Sequence, residues 1–165
     1  MTTSNYLLNR GDHTRHILDL KKVALPGAID YFVERLDEIL AEGFPICMIP
    51  SSDPSKDTPG LRQVIGRLAQ NNQIDGSSLL TRHELIPASQ SASYYKTDRE
   101  NIHMHLESMK VAGSSLIRSR PVLLLDDIVT TGTSFMACRK LLLDAGASEA
   151  ICLALGKTRR VKGGN

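Results

Sequence analysis

Two adjacent carboxylates, Asp126 and Asp127, directly follow four aliphatic residues, Val122–Leu125, and precede Thr130, Thr131, Gly132, Thr133 and Ser134. The aliphatic run is the strongest strand signal in the chain. Acids at the end of a buried strand are costly unless something pairs with them, so the pattern points to a ligand. The segment from Thr130 to Ser134 offers successive backbone N–H groups, several hydroxyl donors and one glycine for close approach. It also opens a helix, whose N-terminus favours an anion. That is chemistry for a phosphate. The carboxylates repel a phosphate and suit hydroxyl donors, a metal ion or a developing positive charge. A ligand with a phosphate at one end and a diol plus metal at the other satisfies both, as a ribose 5-phosphate does.

The elements that must carry these residues are read from periodicity. Ile29, Phe32, Val33, Leu36, Ile39 and Leu40 fall at helical spacing after Pro26, with Gly43 as a stop. Ile46–Ile49 is a short apolar run of strand type that opens, past Pro50, into the turn-rich loop 51–59. Leu61, Val64, Ile65, Leu68 and Ala69 make a second amphipathic helix, and Ser78–Thr81 a weak strand. A third helix carries Ile102, Leu106 and Met109, with Thr97 and Glu100 as a capping box. A fourth carries Phe135, Cys138, Leu141 and Leu142 up to Gly146, before a last strand over Ala150–Leu155. The first 24 residues are polar, with Leu18–Leu20 and Val23–Leu25 as short extended pieces. Strands alternating with helices predict an α/β fold with a mostly parallel twisted sheet. In such sheets ligands bind beyond the carboxyl ends of the strands. The loops 51–59, 82–101 and 126–134 are therefore expected to converge on one edge.

The chain has 165 residues, the size of one domain, with its core over about 26–156. The formal net charge of +2 makes no global electrostatic case for nucleic acid. The basic tail with Lys157, Arg159, Arg160 and Lys162 reads as a solvated terminus. Cys47, Cys138 and Cys152 sit among aliphatics and read as buried free thiols of a reducing compartment. No apolar run approaches the roughly 20 residues of a membrane span. The opening residues lack the hydrophobic core of a signal peptide, so a cytoplasmic location is expected.

The thirteen residues Val122–Ser134, VLLLDDIVTTGTS, resemble the PRPP-binding motif of the type I phosphoribosyltransferases. That family binds 5-phosphoribosyl 1-pyrophosphate (PRPP) with Mg²⁺ on a parallel α/β sheet. The resemblance implies that Asp126 and Asp127 hold the ribose hydroxyls, meet the metal mostly through the ligand, and stabilise oxocarbenium-like charge. It implies that Thr130, Thr131, Gly132, Thr133 and Ser134 wrap the 5-phosphate. Two other readings of the same residues stand beside it: an ordinary strand-to-helix turn with hydroxyl caps, and a receiver domain or phosphohydrolase. A receiver domain carries its acid pair early, whereas only one strand follows the pair here.

The resemblance extends to two further loops. Ser51, Ser52, Asp53 and Lys56 take the place of a pyrophosphate loop, although an acid such as Asp53 departs from a simple anion site. The segment 82–101 takes the place of a flexible flap that excludes water from a reactive glycosyl cation. Arg82, Lys96 and Arg99 are its candidate catalytic cations. The spacing of Arg82, Gln90, Arg99 and Asn101 is similar to that of the ComF-like branch, while Pro59–Gln63 matches its usual Arg-Gly-Phe-Asn stretch only in part. The zinc-ribbon cysteines usual in that branch are absent. Tyr94 and Tyr95 are placed either to stack on a base or to anchor the loop. His103, His105, His13 and His16 read as solvated or structural.

The function so implied is Mg²⁺-dependent transfer of a phosphoribosyl group from PRPP to a nitrogenous acceptor, with release of pyrophosphate. The alternatives are a non-catalytic PRPP or nucleotide sensor on the same fold and a hydrolase of phosphoribosyl compounds. No general base for the acceptor is identified. In the family the acceptor site lies in a small hood built by the chain termini, and a homodimer is common.

Overall fold

The computed structural model describes residues 10–86 and 98–158. Helices α1 (Arg10–Val23) and α2 (Pro26–Ile39) lead into strand β1 (Pro45–Met48), helix α3 (Pro59–Gln70) and strand β2 (Ile74–Asp75). Strand β3 (Leu80–Arg82), helix α4 (Asp98–Glu107) and strand β4 (Met109–Val111) form an excursion. The chain then returns through β5 (Pro121–Val129), α5 (Thr133–Asp144) and β6 (Glu149–Lys157). Four strands make one sheet in the order β2-β1-β5-β6, with every pair parallel. β3 and β4 pair antiparallel in a separate ribbon. The α/β architecture expected from the alternation of strands and helices is present. No helix among the described residues is long and apolar enough to cross a membrane.

The central strand explains the two-layer core. Successive side chains of a strand point to opposite faces. Leu123 and Leu125 of β5 join Ile17, Leu20, Phe32, Leu36, Leu61 and Ile65 from α1, α2 and α3. Val122 and Leu124 join Leu80, Met109, Phe135, Cys138 and Leu142 from β3, β4 and α5. A strand covered on both faces reads as an uninterrupted aliphatic run, as Val122–Leu125 does.

Several expectations need correction. Leu18–Leu20 and Val23 are not extended; they belong to α1, whose Ile17 and Leu20 are buried in the core. The core therefore begins before residue 26. The weak strand at Ser78–Thr81 is shifted to Leu80–Arg82 and lies outside the parallel sheet. Ile74–Asp75 pairs with Pro45 and Ile46 as a two-residue outer strand. β5 runs on to Val129, so Asp126 and Asp127 lie within the strand and not in the loop after it. Cys47 and Cys138 are buried, but Cys152 is exposed because β6 is an outer strand.

Helix α1 is seated on glycines. A Cβ at Gly60 would lie 2.3 Å from the backbone oxygen of Leu20, and one at Gly156 would lie 2.7 Å from Cδ1 of Ile17. His13 fixes the other end of α1. Its Nε2 lies 2.7 Å from the Leu155 carbonyl and its Nδ1 lies 3.0 Å from the Tyr31 hydroxyl. A carbonyl only accepts, so Nε2 carries the hydrogen. Gly60→Ala meets rigid backbone and is expected to destabilise the protein by about 1–3 kcal/mol, despite the better helix propensity of alanine. Gly156→Ala meets only the end of a flexible side chain and should cost less. Urea denaturation of the two variants checks the order.

Candidate functional site

The chain leaves β1 toward β2 on one side and leaves β5 toward β6 on the other, although β1 and β5 are neighbours. The crevice beyond their carboxyl ends is thus the point where the winding reverses, the usual ligand position in such sheets. The pairing continues past β1, where the Ile49 amide donates to the Leu125 carbonyl at 3.0 Å. The loop starting at Pro50 and the acids that follow Leu125 are therefore brought side by side. Two of the three loops expected to converge do so. The third begins here as well, since the Ile86 amide donates to the Ser52 carbonyl at 3.0 Å. Its residues 87–97, with Gln90, Tyr94, Tyr95 and Lys96, lie outside the described residues. Arg99 lies on α4, and its side chain is likewise outside the description.

The two acids are not equivalent. Strand alternation sends them to opposite faces of the sheet. Asp127 is buried, and its Oδ1 accepts the Ile128 amide at 2.6 Å. Its Oδ2 lies 3.2 Å from Nζ of Lys21 on α1. The space beside it is a void of about 10 Å³ lined by Leu20, Lys21, Thr58, Gly60 and Leu61. Asp126 is half-buried and accepts the Asp127 amide at 2.8 Å. Burial, reinforced by the neighbouring Asp127 charge, pushes the Asp126 carboxyl up to about 7. An acid held between its two states near neutrality can accept a hydroxyl donor or meet a cation.

Past the acids, Gly132 takes φ +83° and turns the chain from β5 into α5. Gly132 at the N-cap of α5 has no side chain to cap it, and the Thr133 amide donates weakly to Thr131 Oγ1 at 3.4 Å, so the next first-turn amides have no side-chain cap from that position. Thr131 and Thr133 hold each other, Oγ1 to Oγ1 at 3.0 Å. Thr130 and Thr131 are exposed, while Gly132, Thr133 and Ser134 are half-buried. Hydroxyls and backbone amides gather at the start of a helix, groups that can meet an anion.

The loop after β1 borders a cleft of about 320 Å³ lined by Ser51, Asp53, Ser55, Lys56, Thr58, Arg62, Ser77, Thr81 and Arg82 among others. Asp53 braces this loop. Its Oδ1 accepts the Ser55 amide at 3.0 Å and the Ser55 hydroxyl at 2.6 Å, and these bonds hold its carboxyl below the usual range. Its Oδ2 lies 3.7 Å from Nζ of the exposed Lys56. Asp53 therefore shapes the turn and balances Lys56, which explains an acid in a loop otherwise suited to anions. Arg62 and Ser77, not singled out from the sequence, join the cleft wall, with Arg62 donating to Ser77 Oγ at 3.2 Å and to Asp57 Oδ1 at 3.2 Å. The buried Thr81 hydroxyl has no partner among the described residues.

Arg82 stands in a different role from the one expected of a flap cation. It is 8% exposed. Its Nε donates to the Ser51 carbonyl at 2.7 Å, and its other nitrogens reach Ser108 Oγ, Met109 Sδ at 3.2 Å and His105 Nδ1 at 3.4 Å. The guanidinium ties the loop after β1 to β4 and α4. Burial first, then Arg82, pushes the His105 ring down to about 4, which keeps it a neutral acceptor. The structural reading of His105 holds, and His103 is exposed beside Glu107 at 3.2 Å, as a solvated residue should be. Lys21 is the site residue that periodicity missed. Its helix shows little apolar patterning, and no local spacing links it to an acid more than 100 residues away.

The chain matches no family model, and no curated protein matches it.

Two predictions test the site electrostatics. The folded-state proton affinity of Asp126 is raised, so its native form binds more protons than the unfolded chain between about pH 4 and 7. The Asp126 contribution to stability is then greatest below about pH 4 and is lost as pH rises toward 7. Asp126→Asn is expected to remove that loss, raising Tm by several degrees at pH 8 and flattening the slope between pH 4 and 7. Thermal melts across that range measure it. Arg82→Met strips the Ser51 carbonyl and Ser108 hydroxyl of their buried donor, and should cost about 2–4 kcal/mol in chemical denaturation. Arg82→Lys lacks the fork and should recover less than half of it.

Proposed function

We propose that the protein binds PRPP at the crevice between β1 and β5 and transfers its phosphoribosyl group to a nitrogen nucleophile, releasing pyrophosphate. One observation carries this reading: a hydroxyl-rich helix start with glycine at its N-cap follows a strand that carries a half-buried acid, at the reversal point of a parallel sheet. A phosphate fits the first and a ribose diol the second, and the thirteen-residue resemblance joins them in one ligand. The fold expected with it is that of the type I phosphoribosyltransferases. Their acceptor hood would draw on about residues 1–25 and 157–165, of which Arg10–Val23 form α1 and 1–9 and 159–165 lie outside the described residues.

Each group has a task in this reading. Amides and hydroxyls from Thr130 to Ser134 hold the 5-phosphate. Asp126 accepts from a ribose hydroxyl and, when ionised, stabilises positive charge growing at the anomeric carbon. Ser51, Ser55, Lys56, Arg62 and Thr81 line the cleft that suits the diphosphate. Arg82 holds the Ser51 carbonyl and so fixes that loop. Among the described residues no group of three or more His, Cys, Asp or Glu could hold a metal ion. One carboxylate fits a Mg²⁺ that arrives carried by phosphate oxygens and water, with Asp126 as the protein's contribution. When bound, that ion neutralises charge on the departing diphosphate. Lys96 and Arg99 are the cations proposed to reach it from the flap.

The test is pyrophosphate release from PRPP and Mg²⁺ across a panel of purine, pyrimidine and related bases. Base-dependent release is the expected result, with Asp126→Asn and a Thr131→Val/Thr133→Val pair each lowering kcat/KM at least 100-fold. PRPP binding without release would instead support the regulatory binder, and release without any acceptor the hydrolase. Absence of PRPP binding, by titration calorimetry, sinks the reading.

A further inference from the structure

Asp127 is the more buried of the two acids, and both of its oxygens are engaged within the protein. Oδ1 takes the Ile128 amide and Oδ2 takes Lys21. It faces the layer built by α1, α2 and α3, and the free volume next to it holds about one water. A ribose hydroxyl at Asp127 would compete with Lys21 for Oδ2 and with the Ile128 amide for Oδ1. Asp126 points to the opposite face, and its Oδ1 is held by the Asp127 backbone amide. The adjacent acids thus divide into one that meets the crevice and one that meets a helix.

The helix has reason to need a fastening. α1 buries only Ile17 and Leu20 fully, and Val23 and Leu18 remain exposed. Its N-terminal half is held by His13 on Leu155 and Tyr31, and its middle by contacts over Gly60 and Gly156. Near its C-terminal end the Lys21–Asp127 pair is a polar contact to the sheet among the described residues. Lys21 is 53% exposed against 11% for the Asp127 side chain, so the rigid partner is the acid and the adaptable one is the lysine.

We propose that Asp127 acts through Lys21 as a positioning residue: the pair clamps α1 over the carboxyl end of β5, walls off one side of the crevice and leaves Asp126 as the acid that touches the ligand. This rests on the PRPP reading for the ligand, but the clamp itself is independent of it. It assigns α1 to the site as a wall, and it predicts unequal roles for two residues adjacent in sequence.

A double-mutant cycle on the full chain tests it, read by Mg²⁺–PRPP titration calorimetry and by hydrogen exchange of residues 13–23. Lys21→Met and Asp127→Asn are each expected to raise α1 exchange at least tenfold and to weaken PRPP binding by the same factor, about threefold. The double variant should be no worse than the more affected single variant, and Lys21→Arg should restore both readouts. Asp126→Asn should abolish PRPP binding while leaving α1 exchange unchanged. Loss of PRPP binding in Asp127→Asn with wild-type binding in Lys21→Met overturns the proposal. If Asp127→Asn does not fold, unchanged α1 exchange in Lys21→Met overturns it alone. A wild-type chain that binds no PRPP, yet shows the exchange coupling, refutes the ligand and keeps the clamp.

Discussion

Parallel pairing of β1 with β5 is the contact that makes a site out of segments far apart in sequence. Ile46, Cys47 and Met48 sit against Leu123, Leu124 and Leu125. The register extends one step further, through Ile49 on the Leu125 carbonyl, before the chains part. A strand pair that separates there must send both chains out over one edge. The apolar residues fix this register because a one-residue slip would turn Asp126 into one core layer and Leu125 into the other. The chemistry at the top of the sheet is held in place by packing below it.

Charge is placed around that edge with unequal support. Asp127 has a lysine and an amide, whereas Asp126 has an amide and a neighbouring like charge. Arg82 is buried with carbonyl, hydroxyl, thioether and imidazole partners, and among the described residues none of its hydrogen bonds goes to a carboxylate. Such a cation raises the local potential for anions while holding the loop that would receive them. The poorly compensated groups, Asp126 and Arg82, are the ones beside the crevice and the cleft. Proteins keep such local conflicts mainly where a ligand resolves them.

The sequence was legible where one physical signal dominated. α2 and α3 show apolar residues at helical spacing, and Phe32, Leu36, Val64 and Leu68 are buried as that spacing requires. β5 shows a run that only a doubly covered strand tolerates. α1 was misread because two buried positions, Ile17 and Leu20, do not make a visible period among Asp12, His13, Arg15, His16 and Lys21. β2 was missed because two residues carry no period at all. Two charges after an aliphatic run read as the end of a strand, yet the pairing with β6 carries β5 through to Val129. The phosphate-type turn was readable from local composition. The division between Asp126 and Asp127 was not, because it depends on a helix from the other end of the chain.

His13 has a consequence beyond the packing of α1. β6 is an outer strand, and Thr158 donates to Val129, so its even-numbered residues turn their amides and carbonyls toward β5. The odd-numbered ones face outward, an open template for another chain to add a strand. The His13 ring occupies the outward carbonyl of Leu155 and interrupts that row. The opposite edge needs no such guard, since β2 has only two residues. A helix that leaves the sheet would therefore uncover an adhesive edge at the moment it opens the crevice, which ties the solubility of this chain to the integrity of its site.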